Sequence, residues 1–296
     1  MEQAVLSIQS FVSLGHVGNR VACWALERLG FEVWPVPSVW FAHHPGYGPP
    51  AGSRFAAEWL REVLDGLLGT APLERCGGIL TGYLGGLEQG PVVLEAVARL
   101  RGPRPDIPWL CDPVLGEEGR GLFLPRPLAG FLRDRLVPAA DIVTPNLFEL
   151  GWLTDTEPVD VPSARRAARR LRARGPHTVL ATGVPAAGGK GIGVLLESAA
   201  GSFWIETPRL ACRAHGTGDL LAALYLGRLL RGDGPKTALE AAVSVLYAII
   251  EETVRADAGE LRLPSCETFA AAARPRFRAI PLDDRGQSGA AGSPAD

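Results

Sequence analysis

The sequence predicts an α/β fold in which a mostly parallel central sheet is covered by helices on both faces, within one domain over residues 1–282. Two observations carry this. Short apolar runs alternate with segments of helical periodicity from Val5 to Thr182, and the runs are apolar throughout, as strands buried on both faces are. The runs 191–196 and 202–205 then follow one another without a helix between them, which adds an antiparallel hairpin to the sheet. There is no internal repeat and no linker.

Residues 5–8 form the first strand, ending at Gln9 and Ser10, and Gly15-His16-Val17-Gly18-Asn19 makes a turn. A helix over 20–29 follows, with Asn19 as its N-cap and Gly30 as its stop. Residues 31–39 are extended but contain Pro35 and Pro37, which suits an edge strand. Residues 43–52 are a loop rich in glycine and proline. Helices are expected over 54–68, 91–100, near 128–135 and over 163–174, alternating with strands over 78–81, 108–111, 141–144 and 178–182. Beyond the hairpin, 220–230 and 235–254 read as two helices, the second packing on the first through Leu239, Val243, Leu246, Ile250 and Val254. From Asp283 to residue 296 the composition is that of a disordered tail.

A chain of 296 residues, 47% hydrophobic and 21% charged, can bury a large core. Its net charge of −2 gives no argument for a nucleic-acid or membrane surface, and Arg165, Arg166, Arg169 and Arg170 fall at helical spacing on an expected solvated face. Five cysteines, Cys23, Cys76, Cys111, Cys212 and Cys266, form no Cys-x-x-Cys pair and are expected to be reduced. No basic leader precedes an apolar run at the start, and no run approaches the roughly 20 apolar residues of a membrane span, so the cytoplasm is the expected compartment.

Ser10, Thr81, Asp112, Thr144 and Thr182 stand at the ends of apolar strands, along the carboxyl edge where open α/β sheets bind ligands. Each is equally a turn or cap residue type. His215-Gly216-Thr217-Gly218-Asp219 runs into the apolar helix at 220, so two glycines bring free amides and the positive end of the helix dipole to one place, which suits a phosphate. Asp219 would repel that phosphate unless it handles a proton. Transfer of a phosphoryl group to an alcohol needs that pair, amides for the migrating group and a carboxylate for the hydroxyl proton. The plainer reading of Asp219 is a first-turn acid that favours the helix.

Leu6-Ser-Ile-Gln-Ser10 with Gly15-His-Val-Gly-Asn19, Thr81-Gly-Tyr-Leu-Gly85, Cys111-Asp-Pro-Val-Leu-Gly116, Thr144-Pro-Asn146 with Glu149, and Gly216-Thr-Gly-Asp219 occur in order over residues 5–254. Together they resemble the pyridoxal kinases of the ribokinase-like superfamily. The resemblance implies the ribokinase-like three-layer sandwich, a homodimer, and transfer of the ATP γ-phosphate to the 5′-hydroxyl of pyridoxal in vitamin B6 salvage. It implies Asp219 as base, with Gly216, Thr217 and Gly218 as the anion hole. Asp112 and Glu149 would serve Mg²⁺ or another divalent cation and the phosphates. Thr144 and Thr182 would line the nucleotide side beside a K⁺ or Na⁺ site. Widely spaced carboxylates suffice for a cation that keeps its waters, although Glu149 is also placed as a first-turn helix acid.

Ser10, Val17, Val39, His44 and Tyr83 fall where the family holds the pyridine ring. His43-His44-Pro45 replaces the usual Asn-His-Thr, so a threonine hydroxyl is missing and proline cannot donate in its place. Trp40 stands where glutamine is common and is expected to change the pocket wall. Two other readings stay open at this point, a kinase for another ring alcohol such as a hydroxymethylpyrimidine, and a catalytically weak B6-binding or regulatory protein.

Overall fold

A computed structural model describes residues 3–265, 269 and 274–283. Strand β1 (Ala4–Leu14) leads through a glycine turn to α1 (Asn19–Arg28) and β2 (Glu32–His43). A single 3-10 turn, Pro45–Tyr47, and a short β3 (Gly52–Arg54) precede α2 (Ala57–Thr70). Then β4 (Cys76–Thr81), α3 (Gln89–Arg101), β5 (Trp109–Cys111) and the small hairpin of β6 (Gly116–Glu117) and β7 (Gly121–Leu122) follow. Helix α4 (Arg126–Phe131) runs through a π turn, Leu132–Leu136, into α5 (Val137–Ala139). After it come β8 (Ile142–Val143), α6 (Leu147–Thr154), α7 (Val161–Arg172), β9 (Thr178–Pro185), β10 (Gly191–Ser198) and β11 (Gly201–Pro208). The last elements are α8 (Thr217–Leu230), α9 (Pro235–Arg255) and β12 (Ile280–Pro281).

Among the described residues ten strands share one sheet, ordered β12-β11-β10-β9-β8-β5-β4-β1-β2-β3. Strands β2, β1, β4, β5, β8 and β9 run parallel, and β10, β11 and β12 are antiparallel at one end. The strands split their side chains between two cores: Ala4, Leu6, Ile8 and Ile79 face α2, α3, α4, α6 and α7, while Val5, Leu80, Leu110 and Ile142 face α1, α8 and α9. This alternation makes the three layers. The prolines of β2 lie in its first half, which has no neighbour on the outer side, because β3 pairs only with Val39, Trp40 and Phe41.

Several expectations are corrected. Strand β1 does not stop at Ser10 but continues to Leu14, pairing with an equally long β2. Asn19 is not an N-cap; Gly18 holds that position, and the buried Asn19 amide donates to the carbonyls of Gln9 and Val36 and accepts from the Ser7 hydroxyl, fastening α1 to both strands. Residues 52–54 form β3 rather than loop and helix. Only part of the α7 arginine face is solvated. Arg165 and Arg169 turn to the buried Glu197, at 3.7 and 3.3 Å, since a buried carboxylate needs paired charge. On α9 the buried stripe passes through Leu239, Ala242, Val243 and Ile249, leaving Leu246, Ile250 and Val254 half-buried. Cys23, Cys76, Cys111 and Cys212 are free thiols, whereas Cys266 and residues 284–296 of the expected tail lie outside the described residues. Among the described residues no helix is long and apolar enough to cross a membrane.

Candidate active site

Helix α8 begins at Gly216, whose φ of 90° and close approach to the His16 carbonyl leave no room for a Cβ. No side chain caps the first turn, so its amides point outward unclaimed by a cap, and Asp219 stands among them. The Asp219 carboxylate accepts the amide of Gly18. Gly18 in turn has φ 54° and lies against the carbonyl and hydroxyl of Ser10, a position where any Cβ would collide. Ser10, Gly18 and Asp219 are thereby stacked from the substrate side to the helix end.

Asp112 follows β5 and faces the glycine loop, with its Oδ2 3.7 Å from where a Cβ on Gly218 would sit. Burial, then the charges of Glu149 and Asp219, push its carboxyl well above the ordinary range, while the Thr144 hydroxyl opposes this. Asp219 is likewise raised by burial, against the Gly18 amide. Burial pushes Glu149 up to about 7, although Oε1 accepts the amides of Leu115 (2.7 Å) and Gly116 (3.3 Å) and Oε2 that of Asn146 (2.9 Å). Three carboxylates, one after β5 and the others at the starts of α6 and α8, thus share one electrostatic environment. Glu149 is also the first-turn acid of α6, in a reciprocal capping box with Asn146. The Thr144 Oγ1 is buried without a hydrogen bond of ordinary geometry. Thr182, inside β9, donates its amide to Pro145 and bridges Asn146, which brings it beside Thr144.

Thr81 leaves the candidate set. Its hydroxyl is buried and accepts the Trp109 indole N–H at 2.9 Å.

Where the resemblance places the pyridine ring, the β1–β2 ladder slips, with Gln9 opposite Pro37 but Phe11 opposite Trp40, so Ser10 faces two residues, Ser38 and Val39, across a bulge. Val39, Val12 and Phe41 make a small separate apolar cluster with Val17 and Tyr83 packed against it. Tyr83 is held from both ends: its carbonyl accepts the Ser38 hydroxyl at 2.6 Å and its own hydroxyl accepts Arg54 Nη1 at 2.9 Å. Trp40 does not line this wall. It is half exposed, on the alternate side of β2, with its ring 4.9 Å from Phe11 and its indole on Ser13.

His44 is buried, and both ring nitrogens are occupied, Nε2 by Glu260 (2.8 Å) and Nδ1 by the Gly46 amide (3.1 Å). Its ring centroid is 4.6 Å from that of His215. Sequence reasoning missed Glu260, for which a lone glutamate beyond the last helix gives no signal. It placed Glu149 as a first-turn helix acid but gave α6 no range, although Asn146-x-x-Glu149 is a capping-box pattern.

A doubly covered, mostly parallel sheet with a glycine-turned helix end and a carboxylate at its mouth defines a small-molecule kinase of the ribokinase-like fold. Comparison with known proteins agrees. A family model described as phosphomethylpyrimidine kinase matches residues 78–263. The pyridoxal kinase PdxY of Rubrobacter xylanophilus is 44% identical over 276 residues, 92% of this chain and 95% of its own, and that of Leifsonia xyli is 40% identical over 275 residues, 92% and 97%. The structure of pyridoxal kinase from Leishmania donovani in complex with ADP and pyridoxamine superposes with a TM-score of 0.86 at 29% identity, covering 95% of this chain and 100% of that one. The chain belongs to the pyridoxal kinase family.

Proposed function

We propose that this chain phosphorylates the 5′-hydroxyl of pyridoxal and related B6 vitamers with ATP, as a cytoplasmic homodimer serving vitamin salvage. The observation that carries this reading is Asp219 at the uncapped start of α8, tied through Gly18 to Ser10 on the apolar substrate wall. In the reaction the Asp219 carboxylate accepts the hydroxyl proton, and the substrate oxygen forms a bond to the γ-phosphorus. The bond from that phosphorus to the bridging oxygen breaks, and ADP leaves. Amides at Gly216, Thr217 and Gly218 hold the charge that gathers on the phosphoryl oxygens. Burial strengthens Asp219 as a base, and the Gly18 amide keeps it oriented. Ser10, Val17, Val39, Tyr83 and the His44 loop hold the ring; Asp112, Thr144, Glu149 and Thr182 face the nucleotide.

The residues fit a divalent cation. The mutually repelling carboxylates of buried Asp112, buried Glu149 and half-buried Asp219, beside an unpartnered Thr144 hydroxyl, call for positive charge. Among the described residues no three acidic, histidine or cysteine side chains converge into a cage, which suits Mg²⁺ held largely by water and nucleotide oxygens. Asp112 would hold it, with Glu149 acting through its charge because its oxygens are engaged by amides. When bound, Mg²⁺ supplies neutralisation of the phosphate charge. The unpartnered Thr144 hydroxyl, with Thr182 beside it, also suits the K⁺ or Na⁺ ion.

The family model's description favours a second reading, a hydroxymethylpyrimidine as the alcohol. ATP turnover with pyridoxal, pyridoxine, pyridoxamine and hydroxymethylpyrimidine separates the two. We expect a B6 vitamer to give the highest kcat/KM; a higher value for the pyrimidine establishes the second reading, and no turnover with any alcohol leaves only a binding protein.

A further inference from the structure

Glu260 lies beyond α9, yet it contacts two loops near α8, the turn at His16 and the loop of His44 and Tyr47. Its Oε2 accepts the His16 amide at 3.1 Å, its Oε1 faces His44 Nε2 at 2.8 Å, and the Tyr47 hydroxyl donates to the same carboxylate. Burial pushes the Glu260 carboxyl up, but the bonds from His44 and Tyr47 outweigh it and hold the group below the usual range. The Gly46 amide donates to His44 Nδ1, so that nitrogen carries no proton and Nε2 carries the one given to Glu260. His44 then packs on His215, one residue before Gly216, and a Cβ on Gly46 would lie 2.6 Å from His215 Nε2. The His16 carbonyl rests on Gly216, and two residues on, Gly18 donates to Asp219.

We infer that Glu260 is a positioning residue with two separable effects: through His44 it sets the substrate loop, and through His16 it sets the Gly18 amide that orients Asp219. His44, with both nitrogens engaged, meets the substrate by its ring face and its loop rather than by a ring nitrogen. The kinetic part of this inference rests on the proposed function. The geometric part does not.

The test uses the full chain with Glu260→Ala, Glu260→Gln, His44→Ala and the double variant Glu260→Ala/His44→Ala. Glu260→Ala is expected to raise the KM for pyridoxal about tenfold, as loss of a hydrogen bond to a charged group does, with the KM for ATP within about twofold. In the His44→Ala background the same substitution should add little further KM effect, while its loss of kcat, carried by His16, persists. Glu260→Gln, which keeps one acceptor, should fall between. Additive KM effects, or equal rises in both KM values, overturn the inference. Proton–nitrogen spectra of the five histidines without substrate give the reading that does not depend on turnover. We expect one slowly exchanging Nε2–H that disappears in both Glu260→Ala and His44→Ala; its absence from the unsubstituted protein, or its survival in Glu260→Ala, refutes the Glu260–His44 latch. Should the unsubstituted protein turn over no vitamer while that signal behaves as expected, the proposed function fails and the latch stands. If Glu260→Ala does not fold, Glu260→Gln carries the kinetic reading through an intermediate KM, and His44→Ala carries the spectral one.

Discussion

The Gly18 amide donates its hydrogen to the carboxylate of Asp219, joining the turn after the first strand to the start of α8. The donor offsets part of what burial costs the charged carboxylate. Gly18 at one end, and Gly216 three residues before Asp219 at the other, sit on positive-φ backbone with no room for a Cβ.

Asp219→Asn keeps the shape and removes the proton acceptor. We expect kcat to fall about 10²–10⁴-fold, with the KM values for ATP and pyridoxal little changed. Steady-state kinetics decides; a kcat near that of the unsubstituted enzyme removes Asp219 from the role of base.

Gly18→Ala forces a side chain into φ 54° and against the Ser10 carbonyl and hydroxyl. The expected cost is at least about 1–3 kcal/mol of stability, seen as a lower urea midpoint, with a loss of kcat as Asp219 loses its donor. An unchanged midpoint would contradict the turn geometry described above.

Asp112→Ala and Glu149→Ala should each raise the Mg²⁺ concentration for half-maximal activity. They should differ in stability. Glu149→Ala leaves the buried amides of Leu115 and Asn146 without their acceptor and should cost at least about 1–3 kcal/mol, whereas Asp112→Ala removes a repelled charge and should cost less. Metal titration paired with urea unfolding of both variants checks this, and an unaltered metal requirement in both would reduce them to structural acids.

Pro45 is exposed at the first position of the turn that follows His44. Pro45→Thr restores a hydroxyl worth about 0.5–1.5 kcal/mol of hydrogen bonding, so the KM for pyridoxal should drop several-fold and that for ATP should stay. No gain for pyridoxal, together with a better alcohol elsewhere in the panel, would count against the pyridoxal assignment.

What could be read beforehand was whatever depends on local pattern. The alternation of apolar runs with helical periods announces the parallel sheet, and Gly216-x-Gly218-Asp219 announces the glycine-turned start of α8, because glycine freedom and helix starts are properties of neighbouring residues. Thr81 shows the limit: nothing nearby reveals that Trp109 will claim its hydroxyl. Strand β1 looks finished at Ser10 because Ser10 is polar, yet the ladder with β2 absorbs it in a bulge and carries on. Trp40 was placed in the pocket wall by resemblance, and the twofold alternation of β2 turns it away. The resemblance points to His44, but no motif points to its partner, since Glu260 is 216 positions away.

That separation sets a schedule for the newly made chain. The sheet can begin to assemble while β1, β2 and β4 are emerging, but the His16 amide must wait for an acceptor 244 positions further along. At about 5–20 residues per second of synthesis, that wait is of the order of ten seconds to a minute. For most of it, the loop that will present Gly18 to Asp219 has neither Asp219 nor Glu260 to hold it. A chain cut between α9 and Glu260 would keep much of its hydrophobic layers and still lack the Glu260 carboxylate that ties the His16 turn to the His44 loop.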